Sequence, residues 1–197
     1  MKRIGLFGGS FDPVHDAHLA LARLALDQLQ LDLLYWIPVG TPWQKARSLS
    51  PAEDRAAMVE RAIDGEPRFV LERCEIERGG PSYTLETVCD LQAREPGARW
   101  FLIIGQDQYA NLPSWHGWRE LLQRVTLAVA GRMGEEPQAG AALAAVPHRL
   151  LRLPLPPLMI SSTALRAALD AGEGIGAMVP AAVARYIDEH HLYTRTH

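Results

Sequence analysis

Cysteine is scarce in this chain: Cys74 and Cys89 are the only two among 197 residues. Two thiols cannot build a disulfide framework, and they lack the paired spacing of a zinc ribbon. Both read as buried thiols in a reducing compartment. No apolar run approaches the roughly 20 residues needed to span a bilayer. Met1-Lys2-Arg3 leads straight into a strand pattern with no signal-peptide signature, so a cytoplasmic protein without membrane contact is expected. Charge of one sign is missing too. The net charge is −3 with no long block, which argues against a nucleic-acid surface. The familiar nucleotide loops, Gly-x-x-x-x-Gly-Lys-Ser/Thr and Gly-x-Gly-x-x-Gly, do not occur, nor does the His-Glu-x-x-His zinc motif.

What is present is an alternation of short apolar runs and helical patterns. The runs Arg3–Phe7, Leu33–Val39, Phe69–Leu71 with Cys74–Ile76, Trp100–Ile104, Val125–Ala130 and Arg149–Leu153 read as strands. Helical patterns cover Asp16–Leu29, Pro51–Ile63, Thr84–Arg94, Trp118–Gln123, Thr163–Ala171 and Pro180–His190. Ser50-Pro51-x-Glu53 has the form of a capping box with proline at the first helical position. Gly134–Val146, rich in alanine, glycine and glutamate, reads as a loop or a variable helix. Continuous runs such as Trp100–Ile104 suit strands buried on both faces. An α/β, Rossmann-like, doubly wound and mainly parallel sheet flanked by helices is expected, as one domain over 1–197 with a small helical part from about 161. Ligands then belong at the carboxyl ends of the strands.

The first strand ends in Gly8-Gly9-Ser10-Phe11, and a helical pattern follows with His15 and His18 three residues apart. Glycine lets the backbone approach an anion, and unpaired N–H groups at a helix start point toward it. Two imidazoles at that spacing lie about 5–6 Å apart at Cβ on one face. Alone, such a segment is an ordinary turn with two surface histidines. A second segment, Ile160-Ser161-Ser162-Thr163-x-x-Arg166, sets hydroxyls at the start of another helix that Gly172 closes. Arg166 offers a charge-assisted fork to phosphate oxygens. Alone, it is a helix cap with a surface arginine.

Together, Gly8-Gly9-Ser10-Phe11-Asp12-Pro13-Val14-His15-x-x-His18 and Ile160-Ser161-Ser162-Thr163-x-x-Arg166 resemble the paired signatures of the nucleotidyltransferases. Pro81-Ser82-Tyr83-Thr84-Leu85-Glu86-Thr87, Ile104-Gly105-Gln106-Asp107-Gln108 with Leu112-Pro113-x-Trp115, and the ending from Val183 to Tyr193 sharpen this to the bacterial nicotinate-nucleotide adenylyltransferases. Two departures are visible. Ala17 stands where the family pattern His-x-Gly-His has glycine, and Pro42-Trp43-Gln44-Lys45 keeps the lysine of a Pro-His-Lys pattern without its histidine.

The resemblance implies attack by the phosphate of nicotinate mononucleotide on the α-phosphorus of ATP, with Mg2+ held by substrate phosphates and several waters rather than by protein ligands. It implies catalytic roles for His15, His18 and Arg166. Gly8, Gly9, Ser10, Phe11, Gly105, Asp107, Ile160, Ser161, Ser162 and Thr163 would complete the ATP site. Ser10, Lys45, Ser82, Tyr83, Thr84, Asp107 and Trp115 would form the acceptor site. Asp107 either bonds a ribose hydroxyl or caps the next helix, and Trp115 competes with Trp118 to stack a pyridine ring. Thr84 is a candidate N-cap whose helix start would receive the nicotinate carboxylate. Open alternatives are a nicotinamide mononucleotide or phosphopantetheine acceptor, or an ATP-binding regulator without turnover. A homo-oligomer also stays open.

Overall fold

The computed structural model describes residues 1–42, 49–132, 135–156 and 158–193. Among these, β1 (Arg3–Gly9), β2 (Leu33–Pro38), β3 (Phe69–Leu71), β4 (Arg99–Gly105), β5 (Thr126–Arg132) and β6 (Leu150–Leu155) form one sheet in the order β3-β2-β1-β4-β5-β6. Every strand pairing is parallel. Helices cover both faces, which is why the central strands are apolar without alternation. Phe101 and Ile103 of β4 join one core with Leu26 of α1 (Asp16–Gln28), Val59 of α2 (Ala52–Ile63), Leu165 of α8 (Ser162–Asp170) and Val183 of α9 (Ala181–Glu189). Trp100, Leu102 and Ile104 join the other core, with Cys74 of α3 (Cys74–Arg78), Val88 of α4 (Thr84–Arg94), Tyr109 of α5 (Gln106–Ala110), Leu121 of α6 (Trp118–Arg124) and Leu143 of α7 (Ala141–Ala144). Burying each such side chain contributes about 1.5–3 kcal/mol. Among the described residues, no helix is long and apolar enough to cross a membrane.

Several expectations change in detail. Cys74–Ile76 is not strand but the opening of α3, because the chain leaves the sheet edge after β3 and turns to bury Cys74 and Glu75. An apolar–polar alternation of three residues is too short to separate one helical turn from a strand. Pro51 is the N-cap of α2 rather than its first residue, and no side-chain capping bond forms there. Thr84 is likewise the first residue of α4, behind Tyr83 as N-cap. Cys74 is buried, and burial pushes its thiol up to about 12, far from reactivity. Cys89 is only half-buried. Within Gly134–Val146, the described part carries the short α7.

Candidate active site

β1 pairs with β2 on one side and β4 on the other, and the chain leaves β1 and β4 toward opposite faces of the sheet. Their carboxyl ends therefore frame a crevice at the topological switch point. Two cavities open there and share Gln108 as a common wall. The first, about 170 Å³, lies over Gly8, Gly9 and Ser10 and reaches Ser82, Thr84 and Trp115. The second, about 910 Å³, is lined by His15, Ala17, His18, Gly105, Asp107 and Ile160. The larger volume suits the larger ligand.

His15 is the N-cap of α1, in extended backbone, so it precedes the first turn rather than sitting in it. Its N–H donates to His18 Nδ1 at 3.2 Å. An accepting Nδ1 leaves the proton of a neutral ring on Nε2, so His18 presents an N–H donor on its far edge. The two imidazoles stack with centroids 3.7 Å apart and planes 25° apart. Phe11 supports His18 edge-on at 5.1 Å. Phe11 itself is buried and holds a positive φ of 47°, a strained conformation for a bulky residue. Its ring belongs to the core, so only its backbone is left to face a ligand.

Burial pushes the His15 imidazole down to about 4 from 6.5. It is neutral at physiological pH and acts as a dipole, not a charge. The unfolded chain binds a proton at this site from pH 6.5 downward, while the folded chain does not until about 4. Stability is therefore lost as pH falls through that window. Between pH 7 and 5 this residue should account for about 2 kcal/mol of lost stability. Urea unfolding of the parent and His15→Gln at both pH values checks this, because only the parent should carry that share. Equal losses in both would refute it.

The downstream segment docks onto the loop ahead of His15. Ser161 caps α8 by accepting from the Ala164 N–H at 3.2 Å. Ser162 Oγ donates to the Pro13 carbonyl at 3.0 Å, and Arg166 Nη1 donates to the Asp12 carbonyl at 2.6 Å. Arg166 Nη2 also reaches Thr163 Oγ1 at 3.2 Å. The two signatures are thus one unit, in which the second braces the first. Because the one Ser162 hydroxyl proton is spent on Pro13, its hydroxyl is not a donor to phosphate in this arrangement.

In the first cavity, Trp115 is a half-buried wall, whereas Trp118 is a core residue of α6. Tyr83 turns aside and packs on His116 with centroids 4.7 Å apart. Asp107 is exposed at the second cavity and is not the cap of α5, since that cap is Gly105, whose N–H is taken by Gln108 Oε1 at 3.0 Å. Lys45 lies outside the described residues.

Four contributors escaped sequence reasoning. Buried Arg55 donates to the carbonyls of Ser10, Gly40 and Ser50 at 3.1, 3.3 and 2.9 Å, tying the floors of both loops together. Tyr193 donates to the fully buried Asp12 carboxylate at 2.6 Å across 181 residues. Gln106 forms paired bonds with the backbone of Gln138, at 2.8 and 3.0 Å, which fix the second cavity's rim. Glu75, nearly buried, lines the first cavity. The only sequence signal for Tyr193 and Gln106 was their place inside quoted motifs.

Comparison with known proteins agrees with this architecture. Residues 6–168 match the cytidylyltransferase-like family. A probable nicotinate-nucleotide adenylyltransferase of Methylibium petroleiphilum is 58% identical, covering 98% of this chain and 92% of its own. One from Bordetella petrii is 48% identical over 98% of this chain and 100% of its own. Among solved structures, the Plasmodium falciparum nicotinic acid mononucleotide adenylyltransferase complexed with NaAD superposes with a TM-score of 0.78 at 20% identity, covering 98% of each chain. At that identity the superposition speaks for the fold, while the curated relatives speak for the family. Sharing 58% and 48% of its residues with two such relatives over 98% of its length, the chain belongs to the nicotinate-nucleotide adenylyltransferase family.

Proposed function

We propose that this enzyme transfers the adenylyl group of ATP to nicotinate mononucleotide, giving nicotinate adenine dinucleotide and pyrophosphate in NAD biosynthesis. The observation that supports this most is the meeting of two unequal cavities at Gln108, the smaller lying over Gly8–Ser10 and the larger lined by the stacked histidines. ATP belongs in the larger cavity and enters as its Mg2+ complex, the ion bound through phosphate oxygens and water. Nicotinate mononucleotide belongs in the smaller one, with its pyridine ring against Trp115.

An oxygen of the acceptor phosphate attacks the α-phosphorus as the bond to the β-phosphate oxygen breaks, and pyrophosphate leaves with that electron pair. The attacking phosphate is already anionic, with a second pKa near 6, so no strong base is needed. Catalysis then rests on positioning and on donors aimed at developing charge. His18 Nε2–H serves the α-phosphate, and neutral His15 serves the β/γ side. Backbone groups of Gly8, Gly9, Ser10 and Phe11 cradle the phosphates. Arg166 and the N-terminal N–H groups of α8, at Ser162 and Thr163, hold the triphosphate from the other side. Asp107 and Gly105 take the ribose, with Ile160 beside the nucleoside. The first turn of α4, from Thr84, receives the acceptor carboxylate. An amide there would set donor against donor, which is how the acid is preferred. We also assign Lys45 to the acceptor side, residues 1–197 to one catalytic unit, and the enzyme to the cytoplasm.

Pyrophosphate release from MgATP, measured in parallel with nicotinate mononucleotide, nicotinamide mononucleotide and 4′-phosphopantetheine, tests the assignment. A strong preference for the nicotinate form is expected. Preference for another acceptor would overturn the acceptor pocket while keeping the phosphate machinery. Silence with all three, in protein that binds ATP, would make the chain a sensor.

A further inference from the structure

The smaller cavity contains a carboxyl group that the reaction as described does not use. Glu75 is 9% exposed and lines this cavity beside Ser82, Thr84 and Thr87. Thr87 Oγ1–H donates to Glu75 Oε1 at 2.8 Å, and the Ser82 hydroxyl is a second hydrogen-bonding partner. Ser82 Oγ accepts from the Gly40 N–H at 3.1 Å, which leaves its own hydrogen for the carboxylate. Gly40 is pressed against the same residue. A Cβ at Gly40 would lie 2.1 Å from the Glu75 carbonyl oxygen, so no larger residue fits without displacing α3. Ser82 N–H also donates to the Thr41 carbonyl at 3.0 Å. The loop after β2, the α3 turn and the start of α4 therefore converge on one carboxyl group.

A buried carboxylate is costly unless donors fill its lone pairs. Here two hydroxyls supply donors, with Arg78 close by and bonded to Asp90 at 2.7 Å. Burial raises the Glu75 pKa, against the hydroxyl bonds and Arg78, which lower it. The consequence for the cavity is selective. The Ser82 and Thr87 hydroxyls are spent on Glu75 and do not serve an incoming acid. The donors that remain at this end include the backbone N–H groups in the first turn of α4 and the Thr84 hydroxyl. Their direction depends on where Ser82 and Thr87 are held. The turn that leads from α3 toward them passes through Gly79 and Gly80, both at positive φ.

We propose that Glu75 is a positioning residue of the acceptor subsite, fastening Ser82 and Thr87 so that the N–H groups opening α4 are aimed at the acid group of the acceptor. The inference rests on reading the smaller cavity as the acceptor pocket. Its test is steady-state kinetics of Glu75→Ala, Glu75→Gln and Trp115→Ala, with both KM values, kcat, and the ratio of kcat/KM for nicotinate over nicotinamide mononucleotide. Glu75→Ala should raise the acceptor KM about tenfold and lower the acid-over-amide ratio by a similar factor, with the ATP KM within about twofold. Glu75→Gln should recover most of the loss, because its amide oxygen can accept from both hydroxyls. An unchanged acceptor KM in Glu75→Ala, or equal rises in both KM values with the ratio intact, would overturn the proposal. Should Glu75→Ala fail to fold, Thr87→Val removes one strut at similar shape. It should move the acceptor KM about threefold in the same direction, and unchanged constants would overturn the proposal. Trp115→Ala separates the two readings. If it raises the acceptor KM while Glu75→Ala does not, only the positioning role falls. If neither variant moves it, the pocket assignment falls and takes the role with it.

Discussion

Replacing His18 by alanine should lower turnover about 10²–10³-fold under saturating substrates, the size of effect that follows loss of one preorganised donor to a developing oxyanion. The preorganisation is visible in the structure. His18 Nδ1 is occupied by the His15 N–H, so the opposite ring nitrogen must carry the proton in the neutral ring. Phe11 and Phe7 hold the ring plane, with centroids 5.1 and 6.0 Å from it. A donor fixed in this way needs no reorganisation when charge builds on the α-phosphate. The loss should therefore appear in kcat, with both KM values moving much less. His18 is half-buried, and the parent and variant should unfold at similar denaturant concentrations. Near-parental turnover in a folded His18→Ala enzyme would remove His18 from the mechanism.

The second large effect is expected at Arg166. Arg166→Met should reduce kcat/KM for ATP by about 10²-fold, and Arg166→Lys should not restore it. The guanidinium makes directional bonds at once to the Asp12 carbonyl at 2.6 Å and to Thr163 Oγ1 at 3.2 Å. A lysine ammonium can sit at one of those positions but cannot span both with fork geometry. On the proposed role, removing the arginine withdraws a cation from the triphosphate, and it also removes the bond to the Asp12 carbonyl in the segment that leads into His15. Two losses with one origin explain why this effect should exceed that of Ser162→Ala, which removes only the bond to Pro13 at 3.0 Å. Rate measurements at varied ATP for the three variants and the parent decide it. A lysine variant within threefold of the parent would show that charge alone matters here.

Ala17 marks a place where family resemblance and geometry meet. The residue lines the second cavity beside His18, so the methyl that replaces the glycine of the His-x-Gly-His pattern lies on the cavity wall rather than in the core. It favours the helix at that position and narrows the second cavity, without touching the hydrogen bond from the His15 N–H to His18.

Much of the fold could be read from local pattern, because burial on one or two faces leaves a periodic trace. The apolar run Trp100–Ile104 announced a central strand, and the pattern from Thr84 to Arg94 matched its helix at both ends. The glycines that end β1 and the hydroxyls that open α8 announced two helix starts suited to an anion, since glycine and capping residues act on the backbone around them. Alternation over three residues misled at Cys74–Ile76, where one turn of helix and one short strand look alike. What local pattern could not decide was which distant partner each polar group would meet. Ser162 and Arg166 read as phosphate donors or as a helix cap with a surface arginine, and only the packing of α8 on α1's side of the sheet brought them to the Pro13 and Asp12 carbonyls, 149 and 154 residues away. Trp115 and Trp118 were equivalent until α6 turned one into the core and left the other on the cavity wall. Glu75 lay unremarked inside Cys74–Ile76, read as strand, and only the folded chain brought Ser82 and Thr87 against it. Sequence by itself determined the elements and the chemistry available at their ends, because propensity and periodicity act over a few residues. Tertiary structure alone decided the partners, because a hydrogen bond across the fold depends on distances that no local pattern encodes.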